Sequence, residues 1–472
     1  MKNILYAFSV LIFSITLHAQ DKGKGNSIKF EIKGKIKGLE KSQVYLSHYF
    51  GSNQQVIKDT AEVDETGSFV FSGEEELPQG LYFVNFSKNK LIDFVIGEPF
   101  FSFETDTLNV ISNIKIINSK ENEAFFVYQQ KMNELYASFS KEKNNSTQKV
   151  ELFKKQALDF QNKWLEENKN LFVSKLIKAT LEVEIPKFTR PVLTKKDSAD
   201  LYKFQYGFYK THFFDHIDLN DERFLRSPFL QKKIDKYFED LVVQQSDSIA
   251  KEADKLLGKV KQTDIRKYII YKIANNYENS KIVGTEAAFV HMAEKYYIGE
   301  PELWDTSTVR QLKERVKIIK PLLIGKKFPE MYLTNPEGKL ITTNTIPGKY
   351  TLVFLYDPEC SHCRQETPKL VAQKNYFKTK GISVFAASIV REKDKWKKFI
   401  TEFKIGDFYN GIDIHKNKNT GKEEYYTDFL KTFDVYSTPV VYLLDDKKNI
   451  IVKRIAVEDI KNFIEFYEKS MK

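Results

Sequence analysis

Two cysteines in 472 residues stand two residues apart, in Cys360-Ser361-His362-Cys363. A disulfide across so short a loop takes little entropy from the unfolded chain and makes a poor structural staple. The same spacing suits reversible exchange, in which one thiolate attacks a disulfide and its neighbour resolves the mixed species. His362, between the two, can add positive charge or a hydrogen-bond donor near a thiolate. Two thiolates and a histidine also suggest zinc. However, three ligands this close cannot all point inward from one helical turn, and there is no second cysteine pair, so neither a metal nor a cofactor is expected.

The pair needs a strand before it and a helix after it. Residues 351–356 form a nearly continuous apolar run that suits a central strand, and a helix is predicted from Cys360 to about residue 379. Cys360 then lies at a helix start, where unpaired N–H groups and the positive dipole end favour a thiolate, and Cys363 lies more deeply within the first turn. Strands at 331–333, 340–342 and 382–389, helices at 393–403 and 425–433, a hairpin at 440–444 and 450–455, and a last helix at 457–468 complete an α/β fold with a mixed sheet.

Upstream the period changes twice. Residues 28–104 alternate apolar and polar positions between turns, as around Asp64-Glu65-Thr66-Gly67, and predict an antiparallel β-sandwich-like domain. Segments 120–139, 146–168, 197–210, 228–257, 262–277, 283–297 and 306–320 carry apolar residues three and four apart and predict a central all-α domain. In the first, Phe125, Tyr128, Met132, Leu135 and Tyr136 are expected to face a core. The expected domains are thus 26–115 (β), 116–320 (helical) and 321–472 (α/β), about the number that this length suggests. Residues 141–148 read as a solvated turn between helices.

Residues 1–19 combine Lys2, an apolar stretch and a small residue before Gln20, which reads as a cleavable signal peptide and predicts export to the periplasm. The net charge of +10 is mild for this length and gathers into no basic stripe, which argues against nucleic acid as a partner. The Asp215-His216 pair with Asp218 is read as helix-boundary capping rather than as a metal site.

The segment Phe354-Leu355-Tyr356-Asp357-Pro358-Glu359-Cys360-Ser361-His362-Cys363-Arg364-Gln365-Glu366-Thr367-Pro368, with Tyr436-Ser437-Thr438-Pro439, resembles the TlpA/ResA-like branch of the thioredoxin family and the related AhpC/TSA proteins. The resemblance covers about 322–472 and implies a thioredoxin-like fold and thiol-disulfide oxidoreductase activity. It implies a nucleophile at Cys360, a resolving thiol at Cys363 and a cis-proline at Pro439. The Thr438 backbone would then pair with substrate, and Glu366 would move a proton to and from the buried thiol. Glu366 as a first-turn acid serving helix N–H groups is the other reading. Tyr356 and Pro358, on the approach to Cys360, are further candidates for substrate contact. The β and helical regions resemble uncharacterised domains that precede such thioredoxin domains in Bacteroidota.

Two departures matter. Asp357-Pro358-Glu359 replaces the usual aromatic approach and places two acids at the rim, and Phe354 stands where thioredoxins carry a buried acid. The implied partners are disulfide-containing exported proteins and a membrane or periplasmic electron donor. Two other functions compete with this one. A peroxiredoxin-like peroxidase would need a threonine three residues before the nucleophile, where this chain has Asp357. An envelope-binding protein with a vestigial redox site would show no thiol reactivity.

Overall fold

The computed structural model describes residues 28–140 and 147–470, apart from 53, 89, 281 and 418. The signal-like start and most of the 141–148 turn lie outside these. The described residues group into two compact units, divided between residues 178 and 179.

The first unit holds two four-stranded sheets. One runs in the order Ser68–Gly73, Phe30–Lys37, Phe100–Asp106, Lys115–Ile117, and the other in the order Gln54–Glu62, Gln43–Phe50, Gly80–Ser87, Lys90–Ile96. Ile32, Phe71 and Phe103 from the first share one core with Leu46, Tyr82 and Phe94 from the second. The antiparallel expectation fails at one pair, because Phe30–Lys37 runs parallel to Phe100–Asp106. Gly34 lies under the Phe69 and Phe103 rings, and a Cβ there would collide with both. The buried Asn122 side chain ties the helix Lys120–Ser140 to the second sheet, accepting from Val95 N at 2.8 Å and donating to Val95 O at 2.9 Å. Of the expected stripe only Tyr128 is buried; Phe125, Met132 and Leu135 are half-buried and Tyr136 is 63% exposed, while Phe126, outside the stripe, is buried.

Asp93 is a local cost in this unit. Burial pushes its carboxyl up to about 6, and its Oδ1 has no hydrogen-bond partner. The folded pKa lies above the unfolded one, so the contribution to stability is present at low pH and lost as pH rises through about 6. Asp93→Asn should therefore stabilise the protein at pH 8 by up to about 3 kcal/mol, a ceiling set by residual solvent contact, and by little at pH 4. Denaturant midpoints at the two pH values check this; an equal gain at both would contradict it.

In the second unit, helices precede a seven-stranded sheet. Its order is Leu340–Thr342, Tyr332–Thr334, Tyr409–Ile412, Ile382–Ser388, Tyr350–Tyr356, Val440–Leu444, Ile450–Lys453. The three strands from Tyr409–Ile412 to Tyr350–Tyr356 are parallel, and Val440–Leu444 and Ile450–Lys453 add antiparallel neighbours. Side chains of Tyr350–Tyr356 alternate between two cores. Leu352, Phe354 and Tyr356 face Leu370, Trp396, Phe399 and Ile464, while Val353 and Leu355 face Met331, Phe429 and Phe433. Each such large apolar side chain contributes about 1.5–3 kcal/mol, so the strand that leads to Cys360 is held rigidly from both faces.

Several predicted helices are divided. Residues 228–257 form Phe229–Asp240 and Ser246–Leu257. The helix after Cys360 breaks at Gln373 into Ser361–Ala372 and Lys374–Lys380. The helix predicted at 425–433 is only Phe429–Phe433. His216 Nδ1 donates to Leu181 O at 3.2 Å while Asp215 takes His212 at 2.6 Å, so the histidine and this aspartate serve separate local bonds.

Candidate active site

Cys360 occupies the N-cap position of Ser361–Ala372 in extended conformation, half-buried, and Cys363 is fully buried. Both thiols are free. Opposite them, the loop from Asp434 to Pro439 closes with a cis peptide bond between Thr438 and Pro439, immediately before the Val440–Leu444 strand. The Cys360 thiol donates to Thr438 O at 3.3 Å. The main chain expected to receive substrate therefore lies against the outer sulfur.

The two sulfurs have different acidities. Burial acts to raise the Cys360 pKa, but hydrogen bonds from the Thr438 side chain, from Cys363 and from the His362 N–H outweigh it and hold the thiol below its ordinary value. At Cys363, burial dominates and pushes the thiol up to about 12, against weaker hydrogen bonding from the Thr438 side chain and the Asp357 N–H. Near neutrality the outer sulfur is the readier thiolate and the inner one stays protonated.

The structure redistributes roles among the other candidates. The His362 side chain is exposed, and it is its backbone N–H that serves the sulfur. Glu366 lies in the second turn of its helix, whose first turn holds no acid, so the reading as a first-turn acid fails. Its carboxylate takes Lys369 Nζ at 2.7 Å and lines a cavity of about 370 Å³ with Ser437, Pro439, Arg454 and Glu458.

Tyr356 and Pro358 are corrected. Tyr356 is fully buried with its ring 4.7 Å from Phe399, because it shares the strand face of Leu352 and Phe354. Pro358 is buried too, and its carbonyl accepts from Arg364 at 3.2 Å. Neither lines a surface for substrate. At the rim, Asp357 Oδ1 accepts from the Glu359 N–H at 2.8 Å, and Glu359 pairs with Lys395 at 2.7 Å. That pairing offsets the charge of one of the two acids at the rim. The Thr438 hydroxyl is a site group that the sequence reading missed, since that reading gave Thr438 only a backbone role.

Residues 324–453 match the AhpC/TSA family, and residues 30–125 match a domain of unknown function, DUF4369. Among curated relatives, the thiol-disulfide oxidoreductase ResA of Bacillus cereus is 26% identical over 144 residues, 30% of this chain and 76% of that protein. ResA of Bacillus subtilis is 20% identical over 127 residues, 27% of this chain and 64% of that protein. Among solved structures, a domain of a possible thiol-disulfide isomerase from Cytophaga hutchinsonii is 44% identical, spanning 32% of this chain and 97% of that one with a TM-score of 0.29. A thioredoxin-like protein from Bacteroides caccae is 19% identical, spanning 60% and 99% with a TM-score of 0.45. With an N-cap cysteine, a buried partner thiol and a cis-proline loop against the outer sulfur, the C-terminal part of this chain belongs to the TlpA/ResA-like thiol-disulfide oxidoreductases of the thioredoxin family.

Proposed function

We propose that the chain is a periplasmic thiol-disulfide oxidoreductase that acts on protein disulfides through Cys360-Ser361-His362-Cys363. The observation that carries this reading is the asymmetry of the sulfurs, with Cys360 accessible and lowered in pKa and Cys363 buried and raised to about 12. The Cys360 thiolate attacks one sulfur of a substrate disulfide. A Cys360–substrate bond forms, the substrate S–S bond breaks, and the other substrate sulfur leaves as thiolate. Cys363 then loses its proton and attacks the Cys360 sulfur, releasing the second substrate thiolate and leaving the Cys360–Cys363 disulfide. Two electrons pass to the substrate, and an external dithiol donor must return them. Glu366 serves as proton acceptor for Cys363, a role that rests on its place three residues after Cys363 on the same helix.

The reading includes export, for which the support is the apolar start of the sequence; no helix among the described residues is long and apolar enough to cross a membrane. It also includes a sandwich-like β domain, an all-α middle and independent folding of the part after about residue 320. Cell fractionation and limited proteolysis check these.

The function is tested by insulin reduction with an external dithiol, run beside peroxide consumption. The expected result is dithiol-dependent insulin reduction that Cys360→Ser abolishes, with peroxide turnover at background. Rapid peroxide consumption without insulin reduction would favour the peroxidase that the AhpC/TSA match also allows.

A further inference from the structure

The helix Thr306–Ile319 brings a guanidinium to the substrate-facing loop. Arg315 reaches Asp434 through Nη1, donates from Nε to Glu278 at 2.9 Å, and holds its Cζ 5.2 Å from the centre of the Tyr436 ring. Asp434 is 2% exposed, adopts a left-handed φ of 53°, and begins the loop that ends at cis-Pro439. Arg454 supplies a second guanidinium, with Nη2 at 2.6 Å from Asp434 Oδ2 and 3.2 Å from its carbonyl. Nearby, Lys453, itself buried, pairs with Glu286 of the helix Glu286–Met292 at 2.7 Å. These residues all lie in the second unit.

We propose that Arg315 is a positioning residue of the redox site: by holding Asp434 and Tyr436, it seats the loop that presents Thr438 to a protein substrate, and so makes the helical region part of substrate capture. The inference rests on the redox reading above. Asp434 is buried with its charge divided between two guanidiniums, so removing one leaves it poorly compensated and frees the loop to shift. Tyr436 is 53% exposed despite its contact with Arg315, so a ring of the loop remains available to an incoming chain. A buried carboxylate pinned at the start of the loop and a partly exposed aromatic two residues on suit an extended polypeptide as the captured ligand. Arg315 touches neither sulfur, so it acts through the loop.

The test measures insulin-reduction kinetics in the full chain for Arg315→Met, Arg315→Lys, Tyr436→Ala and Arg266→Met. Arg266 pairs with Glu300 at 2.6 Å elsewhere in the helical region and controls for lost stability. Arg315→Met should raise KM about tenfold while kcat changes less than twofold, and Arg315→Lys, which keeps the charge but not the fork, should recover only part of it. Arg266→Met should leave KM unchanged. Should Arg315→Met fail to fold, Arg315→Lys and Tyr436→Ala decide: each should raise KM, and the double variant should raise it by less than the product. An unchanged KM in folded Arg315→Met, an equal rise in Arg266→Met, or full additivity of Arg315→Lys with Tyr436→Ala would overturn the inference. A wild-type chain that reduces no insulin would overturn the redox reading as well, whereas an active wild type with indifferent Arg315 variants would overturn only the positioning role.

Discussion

Cys363→Ser should drop turnover to background while leaving the first chemical step intact. Cys360 stays accessible at the helix N-cap, and the Thr438 side chain and the main-chain N–H groups of residues 362 and 363 still act to lower its pKa when the inner sulfur is gone, so it attacks a substrate disulfide by itself. Resolution fails because a serine hydroxyl cannot attack a sulfur as a thiolate does, and no third cysteine exists in the chain to replace it. Cys360→Ser should be inactive at the first step, since the remaining thiol is fully buried and pushed up to about 12. Stopped-flow release of one substrate thiol per protein, followed by arrest, is the expected signature of Cys363→Ser. Continued multiple turnover would contradict it.

Thr438→Val should slow attack on substrate about tenfold at pH 7. Its side chain is among the groups that lower the Cys360 thiol and so helps offset the burial that acts to raise it. A hydrogen bond to a charged group is worth about 1.5–3 kcal/mol, and 1.36 kcal/mol corresponds to one pKa unit. Removing the donor therefore raises the Cys360 pKa and lowers the thiolate fraction wherever pH lies below it. Since the wild-type group is lowered, its fold advantage is greatest below its own pKa, shrinks between the two pKa values and disappears once pH exceeds the variant's. The rate of iodoacetamide alkylation against pH measures this directly: the curve should move to higher pH with its plateau little changed. An unshifted curve would remove the hydroxyl from the account.

How much of this could be read from the sequence depended on whether the signal was local. The central strand, the helix after it and the cysteine positions were legible because an apolar run and a Cys-x-x-Cys pair are adjacent in the chain. Tyr409–Ile412 was missed because four residues containing Gly411 carry no alternation; a Cβ at that glycine would collide with Leu333. Gln54–Glu62 was missed because it is exposed along most of its length. Tyr356 was misassigned although the information was present, since period two from Leu352 and Phe354 places it on a core face. Pro439 was found by resemblance to a family and not from spacing. Arg315 gave no local sign, because its partner Asp434 is 119 residues away and only the folded chain brings them together. The Thr438 hydroxyl was hidden behind the backbone role that the resemblance supplied.

Intact and peptide mass spectrometry of Cys363→Ser after exposure to oxidised insulin tests the division of labour most directly. The expected result is one insulin chain attached through a reducible bond to the peptide that contains Cys360, and no adduct on Cys360→Ser. Equal trapping through Cys363 in the Cys360→Ser variant, or no adduct on either, would contradict it.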